Sequence, residues 1–414
     1  MRHITLFFLS GLFIFGSAQT WTRMNPSNPP SPREKMAMAY DSESDRIILF
    51  GGNAGPTIFN ETWEYDFNTD TWTQLSPPTS PPGICAAAMV CDSKRDRMIL
   101  FGGSSVSGIL NDTWAYDLNT NTWSNLNPSN PPPARHSHCM AYDSESDRVV
   151  LFGGYNGSYL HDTWEYDPST NAWIQRSPAS HPPGGFILDG MVYDIESDRC
   201  IQFGGYAGSG YYSDQTWAYD ANTSQWTLMS PASRPSPRSG VHMAYDSESD
   251  RIILFGGYRS SNCYDDTWEY DYNTDTWTNP SVSTRPTARG EGTMVYDGES
   301  DRAILFGGDG PSPGNMLGDT WAYDEPLKVL EKGSAISGLS CRVFPNPSLT
   351  QATVLLSQKA LRAKELRLYD SGGRLVMRIP INSKQVTIGQ GLAPGIYFIN
   401  LGDSGLIKVV KLGR

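Results

Sequence analysis

Glycine pairs punctuate this chain at an almost constant interval. They stand at Gly51-Gly52, Gly102-Gly103, Gly153-Gly154, Gly204-Gly205, Gly256-Gly257 and Gly307-Gly308, spaced by 51, 51, 51, 52 and 51 residues. A Phe precedes every pair: Phe50, Phe101, Phe152, Phe203, Phe255 and Phe306. A fixed period of this size marks stacked supersecondary units that bury a core only against their neighbours. Each unit continues with a Thr-Trp step, from Thr62-Trp63 to Thr320-Trp321, and then Tyr-Asp, from Tyr65-Asp66 to Tyr323-Asp324. A second Trp follows seven residues after that Tyr, at Trp72, Trp123, Trp173, Trp226 and Trp277.

The sixth unit lacks its second Trp, because the chain departs at Glu325-Pro326. The missing piece lies near residue 20: Gln19-Thr20-Trp21 followed by Asn25-Pro26 matches Asn121-Thr122-Trp123 followed by Asn127-Pro128. All 12 tryptophans are then used, two per unit. This arithmetic implies a ring. A linear array would leave strand edges in need of caps, whereas a segment from the front of the chain can supply the last outer strand and close a circle.

Four strands are legible in each unit. The first holds Met38-Ala39-Tyr40, its Met recurring as Met89, Met140, Met191, Met243 and Met294. The second runs from Arg46 to Phe50, the third carries Trp63 and Tyr65, and the fourth carries Trp72. The polar runs Asp41 to Asp45 and Asn68 to Asp70 suit hairpin turns. The turn arginine (Arg46, Arg97, Arg148, Arg199, Arg251, Arg302) recurs in all six units, so a structural ion pair is expected of it.

The double glycine after an apolar strand, with Tyr and Trp on the outer strands, resembles the kelch repeat across residues 20–324. The period and the lack of Gly-His and Trp-Asp signatures exclude repeats of the WD type. The expected fold is all-β: a six-bladed kelch-type β-propeller followed by a small Ig-like β-sandwich.

The boundaries expected are a leader at 1–18, the propeller at 19–324 with 19–26 closing the last blade, a linker at 325–340 and a tail domain at 341–414. Arg2 and His3 precede an apolar run from Ile4 to Phe15, and Gly16-Ser17-Ala18 offers small residues for cleavage, the pattern of a secretory signal. That run is too short to span a bilayer, and no transmembrane segment is expected in the mature chain. Six cysteines in an exported chain permit disulfides, with the pairing open; Cys91 and Cys200 read as core fillers.

In the tail, strands are expected at Ala352 to Leu356, Glu365 to Tyr369, Arg374 to Ile379 and Ile396 to Leu401. Phe344-Pro345-Asn346-Pro347, Leu368-Tyr369-Asp370 with Gly373-Arg374, Gly395-Ile396-Tyr397 and the final Lys411-Leu412 together resemble the C-terminal sorting domain of type IX secretion cargo. That resemblance implies contact with secretion machinery, transit through the periplasm, and display at or release from the cell surface, with Pro345, Asn346, Pro347, Gly373, Arg374, Lys411 and Leu412 as the sorting signal. A stalk or second binding module is the alternative.

Residues 1–324 carry 19 Lys and Arg against 39 Asp and Glu, while residues 341–414 carry 11 against 3. The acidic ring argues against nucleic acid, which needs a basic face. Hairpin turns on one face of the ring are nearly identical from unit to unit. The loops after Gly-Gly and the Pro-rich links between units share the other face and vary, so ligand specificity is expected there. That face holds Tyr155, Tyr159, Tyr206, Tyr211, Tyr212, Tyr258 and Tyr264, whose rings and hydroxyls suit sugars and protein surfaces alike. Arg33, Arg135, Arg238 and Arg289 recur seven residues before the strand Tyr, with Ile84 and Phe186 in the other two units. They either form a carboxylate-binding mouth or pair within the ring. The candidate ligand-binding set is therefore Arg33, Arg135, His138, Tyr155, Tyr206, Tyr258, Arg238 and Arg289, for a glycan or an extracellular protein, with no cofactor. The alternative is a kelch-type carbohydrate enzyme, an oxidase or sugar epimerase. Galactose oxidase resembles this architecture and uses Tyr and His on copper, for which His138 and His242 would be the pair; Asp189 and Glu291 would be the acid/base pair.

Overall fold

The structure is a computed structural model. It describes residues 19–183, 190–312 and 314–324, and in the tail 342–344, 352–355, 365–370, 374–381, 385–388, 395–400 and 406–411. The expected leader and linker lie outside the described residues, as do Phe186, Asp189, Pro345, Asn346, Pro347, Gly373 and Leu412.

Residues 19–324 form one compact unit of six four-stranded antiparallel sheets. Blade one is built from Ala37–Asp41, Arg46–Phe50, Thr62–Asp66 and Thr71–Leu75. Blades two to five repeat that order. Blade six takes Thr293–Asp297, Arg302–Asp309 and Met316–Asp324 from the end of the ring, and its outer strand, Thr20–Arg23, from the beginning. There Trp21 lies opposite Tyr323 and Arg23 opposite Trp321. The innermost strands neighbour one another in chain order, and that of blade six neighbours that of blade one, so the circle is complete.

Local chemistry explains the blade. In the first turn, an Asp41 carboxylate oxygen accepts the Glu43 N–H at 3.0 Å, and Asp45 takes a left-handed φ of 58°. Asp tolerates that conformation because its short side chain bonds the local backbone. Asp96, Asp147, Asp198, Asp250 and Asp301 repeat the left-handed turn. In blades one, three, four and five the turn arginine then salt-bridges the Asp that ends the third strand, as in Arg46–Asp66 at 3.0 Å and Arg251–Asp271 at 3.0 Å. In blade two Arg97 bonds Asp92 instead.

Sheets stack face to face, so the second strand is buried on both sides. Ile47, Ile48, Leu49 and Phe50 are each 0–1% exposed, which is why this strand reads as an unbroken apolar run. Each such side chain stabilises the fold by ~1.5–3 kcal/mol. Between blades, the outer-strand indoles bond backward in register. Trp72, Trp123, Trp173, Trp226, Trp277 and Trp21 donate to Thr320, Thr62, Thr113, Thr163, Thr216 and Thr267 at 2.9–3.1 Å. Every blade is thereby bonded to the one before it, the last through the front of the chain.

The tail forms two antiparallel sheets. One pairs Arg342–Phe344, Ala352–Leu355 and Gln385–Ile388; the other pairs Leu375–Pro380, Glu365–Asp370, Gly395–Asn400 and Leu406–Lys411. Leu366, Leu368, Tyr369, Val386 and Ile388 are buried. Arg374 is exposed beside the second sheet, and Lys411 ends its last strand. Among the described residues of the whole chain there is no helix, and so none long and apolar enough to cross a membrane.

Candidate functional site at the loop side of the ring

The glycine pair fixes the site's frame. Gly51 and Gly52 both have positive φ, 69° and 87°, and a Cβ on Gly51 would sit 2.3 Å from the Ile84 carbonyl oxygen. The chain must turn sharply here to leave the second strand, and the next residue then pairs with the link entering the blade. Glu34–Asn53, Cys85–Ser104, His136–Tyr155, Ser239–Tyr258 and Gly290–Asp309 are these backbone pairs. Loop and link thus converge at the channel mouth.

The mouth is ringed by a hydrogen-bonded collar. Lys35, Ala86, Ser137, Gly240 and Glu291 hold equivalent positions, all with left-handed φ of 54–64°. The Ala86 N–H donates to the Lys35 carbonyl, Ser137 to Ala86, Lys35 to Glu291 and Glu291 to Gly240, at 2.7–3.1 Å. Four of these five residues carry a Cβ, and left-handed backbone costs such residues ~1–2 kcal/mol each. The bonds between blades hold that strain in place.

The four arginines do not present their guanidiniums at this mouth. Arg33, Arg135, Arg238 and Arg289 are 0–1% exposed. Arg135 makes a bidentate pair with Asp162 at 2.7 and 2.9 Å and also donates to the Gly153 and Pro133 carbonyls. Arg289 does the same with Asp319, Gly307 and Thr287. Arg238 pairs with Asp266 and lies 3.9 Å above the Tyr264 ring; Arg33 pairs with Glu61 at 2.6 Å and lies 4.0 Å above Phe59. Burial pushes the Asp162 carboxyl up, but the Arg135 bonds outweigh it and hold it below its ordinary value; Asp266 and Asp319 follow suit. Each arginine staples its own Gly-Gly turn to its own third strand. The acid that binds it precedes the Thr-Trp step by one residue, a signal present in the sequence.

The histidines are also drawn into packing. His138 is buried against Phe101 and the Gly102 turn, and neither ring nitrogen has a hydrogen-bond partner among the described residues. Its pKa is pushed down to about 3 by burial, with Arg135 adding. His242 Nδ1 bonds the Phe255 carbonyl at 2.8 Å, and Nε2 accepts the Gly292 N–H at 2.9 Å, so the ring bridges blades five and six. Both nitrogens of His242 are thus committed, and the two histidines do not fit a shared copper ion. Among the described residues no three His, Cys, Asp or Glu side chains gather as metal ligands. Cys85, Cys91, Cys139, Cys200 and Cys263 are free thiols. Cys200 is buried in the core, while Cys91 is half-buried and also lines the channel toward the turn face.

The tyrosines do converge. His136, Tyr155, Tyr159, Tyr206 and Tyr212 form a continuous arc with ring centroids 4.8–5.9 Å apart. Tyr159 stands at 66° to Tyr155 and at 80° to Tyr206, making a corner rather than a flat platform. Tyr258 lies across Gly240 and Gly290, where a Cβ would come within 2.5–2.6 Å of its ring. Tyr211, at the loop tip, is 48% exposed.

Opposite the arc lies a polar network unforeseen in the sequence apart from Glu291 and Tyr258. Lys35 Nζ contacts Glu34 at 3.2 Å and Glu291 at 2.9 Å. Asn53 donates to Glu34 at 3.0 Å, and the Tyr258 hydroxyl donates to Glu291 at 2.8 Å. Burial, with Glu34 nearby, raises the Glu291 carboxyl despite Lys35; burial depresses Lys35, but the two glutamates outweigh it and raise it. The amide oxygen of Asn53 and one carboxylate oxygen of Asp309 are buried with no hydrogen-bond partner among the described residues. A cavity of about 120 Å³ opens between Lys35, Ser137, Gly240 and Glu291. One register position divides the mouth: directly after Gly-Gly stand Tyr155, Tyr206 and Tyr258 in blades three to five, but Asp309 and Asn53 in blades six and one.

The chain matches the KLHDC2/KLHL20/DRC7 kelch-repeats domain over residues 9–193 and 191–335, and a secretion system C-terminal sorting domain over residues 342–412. It is similar to the kelch domain-containing protein 10 of Xenopus tropicalis, 32% identical over 134 residues, which cover 30% of this chain and 32% of that protein. It is also similar to an adagio-like protein 2 of Oryza sativa subsp. japonica, 28% identical over 346 residues, covering 74% of this chain and 51% of that protein. The matches thus span about a third to a half of the length of these relatives. With the six blades, the glycine pairs and both matches in hand, the chain belongs to the kelch-repeat family and carries a secretion-system sorting domain behind its propeller.

Proposed function

We propose that this protein is an exported, non-catalytic binding module that takes a glycan at the loop-side mouth of its propeller. The observation that carries the reading is the divided mouth: a tyrosine arc on one side and a network of carboxylates, amide and ammonium on the other, around a hydrogen-bonded collar. Sugars need ring faces to pack on and alternating donors and acceptors for their hydroxyls, and the mouth supplies both. A protein partner calls for an apolar interface centre. Among the described residues of the loop face, only Val106 and Tyr211 are large exposed hydrophobic side chains. The sorting domain supports export or surface localisation. The leader at 1–18, the route through the periplasm, the linker at 325–340 and the sorting role of Lys411 and Leu412 complete this proposal.

A carbohydrate-acting enzyme is the rival reading, favoured by the raised, largely buried Glu291 carboxyl beside Tyr258. The test is a glycan array on the purified full chain alongside a turnover screen on the sugars that bind. Binding lost in Tyr159→Ala and Tyr206→Ala, with no turnover, supports a binding module. Turnover abolished by Glu291→Gln would replace it with the enzyme.

A further inference from the structure

We infer that the half of the mouth formed by blades six and one is a subsite for a cationic, hydrogen-donating group, so that the glycan bound here carries free amines. This rests on the glycan reading above and narrows its ligand class.

The four arginines are each neutralised by a carboxylate of their own blade and buried away from the mouth. The charged side chains that remain in the network at blades six and one are Lys35 against Glu34, Glu291 and Asp309. Lys35 is already held by both glutamates, and Asp309, which has Glu34 as well as Lys35 in its surroundings, makes no ion pair of its own among the described residues. An anionic sugar would meet three carboxylates here. A metal ion would have to displace the Lys35 ammonium from the two glutamates.

The second observation is independent of charge. Asn53 is 9% exposed and its amide oxygen has no partner among the described residues, although its amide nitrogen is fixed on Glu34. Asp309, at the same register position of the adjoining blade, likewise has one oxygen with no partner among the described residues. Both orphans are acceptors, so the missing partner is a donor. An ammonium has three donors and no acceptor, and it satisfies the charge as well as the hydrogen bonds. Across the mouth, the Tyr159 corner offers ring faces to a second amine along the same chain.

Calorimetric titration of the full chain near neutral pH tests this with four probes: a β-linked glucosamine oligomer, its N-acetylated counterpart, an oligogalacturonate and a lysine-rich peptide. The glucosamine oligomer is expected to bind roughly tenfold more tightly than the acetylated one, a difference of ~1.4 kcal/mol. Asp309→Asn and, separately, Asn53→Ala should shrink that ratio toward one, with thermal melting reporting whether each variant folds. Equal binding of the two oligomers, an unchanged ratio in both folded variants, or a preference for oligogalacturonate overturns the amine subsite while leaving a glycan module standing. Binding of the peptide alone, with no sugar bound, overturns the glycan reading itself.

Discussion

The indole of Trp21 donates to the hydroxyl of Thr267 at 2.9 Å, across 246 residues of chain. This bond is the sixth of a set that runs round the ring, and the only one in that set made by a residue from the front of the chain. Trp21 is also packed against Phe255 and Tyr323, with ring centroids 5.0 Å away in both cases. Trp21→Ala should therefore lower stability by ~3–5 kcal/mol, the usual loss for a large buried aromatic. Removal of residues 19–25 should lower it further by exposing the edge of Met316–Asp324. Denaturant unfolding measures both; an unchanged midpoint in either variant would refute closure by the front strand.

Arg135 gives a second prediction. Arg135→Met strands the Asp162 carboxylate and the carbonyls of Gly153 and Pro133. Breaking one side of a buried pair costs ~3–5 kcal/mol. Asp162 is 21% exposed, which places the loss near the lower end. Adding Asp162→Asn should recover part of it. If Arg135→Met left stability unchanged while abolishing ligand binding, the arginine would belong to the ligand after all.

Stability should depend on acidity through two histidines. His242 has its pKa lowered to about 4 by burial, with its bond to the Phe255 carbonyl opposing, and His138 to about 3 by burial and Arg135. Unfolded, both titrate near 6.5. Between those values the unfolded chain binds more protons at these two sites than the folded ring does, so the histidine contribution to stability falls as pH drops from about 6.5 toward 3 and levels off below. His242 alone accounts for a loss of the order of 3 kcal/mol. In His242→Gln the slope between pH 6.5 and 4 should flatten, which unfolding titrations at several pH values would detect.

The tyrosine arc yields a prediction with no stability component. Tyr159 lies in a loop and is half-buried against Tyr155 and Tyr206. Tyr159→Ala should weaken glycan binding by about 0.5–1.5 kcal/mol, the scale of a lost aromatic contact, and leave the melting temperature in place. Gly208→Ala should do similar damage from outside the mouth. Its Cβ would fall 2.6 Å from the Tyr159 ring, on a backbone at φ 84°. Affinity measured on both variants separates ring placement from ring chemistry.

How far the sequence carried these conclusions depends on the range of each interaction. The blades, their strand limits and the front-strand closure were legible, because period, Trp count and turn residues are local and repeated sixfold. In the tail, the expected strands leave out Arg342–Phe344, Gln385–Ile388 and Leu406–Lys411: the first two are only three and four residues long, and Lys408 and Lys411 interrupt the apolar pattern of the last. The arginines were placed at the correct end of the ring but given an open alternative. Whether a guanidinium faces solvent or folds back onto an acid 27 to 30 residues later is a matter of three-dimensional reach. The acids were in plain view at Glu61, Asp162, Asp266 and Asp319. The Glu34–Lys35–Glu291 network joins the two ends of the ring, and only the closed circle brings its members together.

The register position after each Gly-Gly pair has a further consequence. Its backbone is fixed by the glycine turn behind it and, in blades one, two, three, five and six, by pairing to the link beside it, so the strand framework does not rest on its side chain. Six blades therefore present six interchangeable sockets around one aperture, currently filled by Asn53, Ser104, Tyr155, Tyr206, Tyr258 and Asp309. A lineage, or an engineer, can rewrite the ligand one socket at a time while the scaffold stays silent.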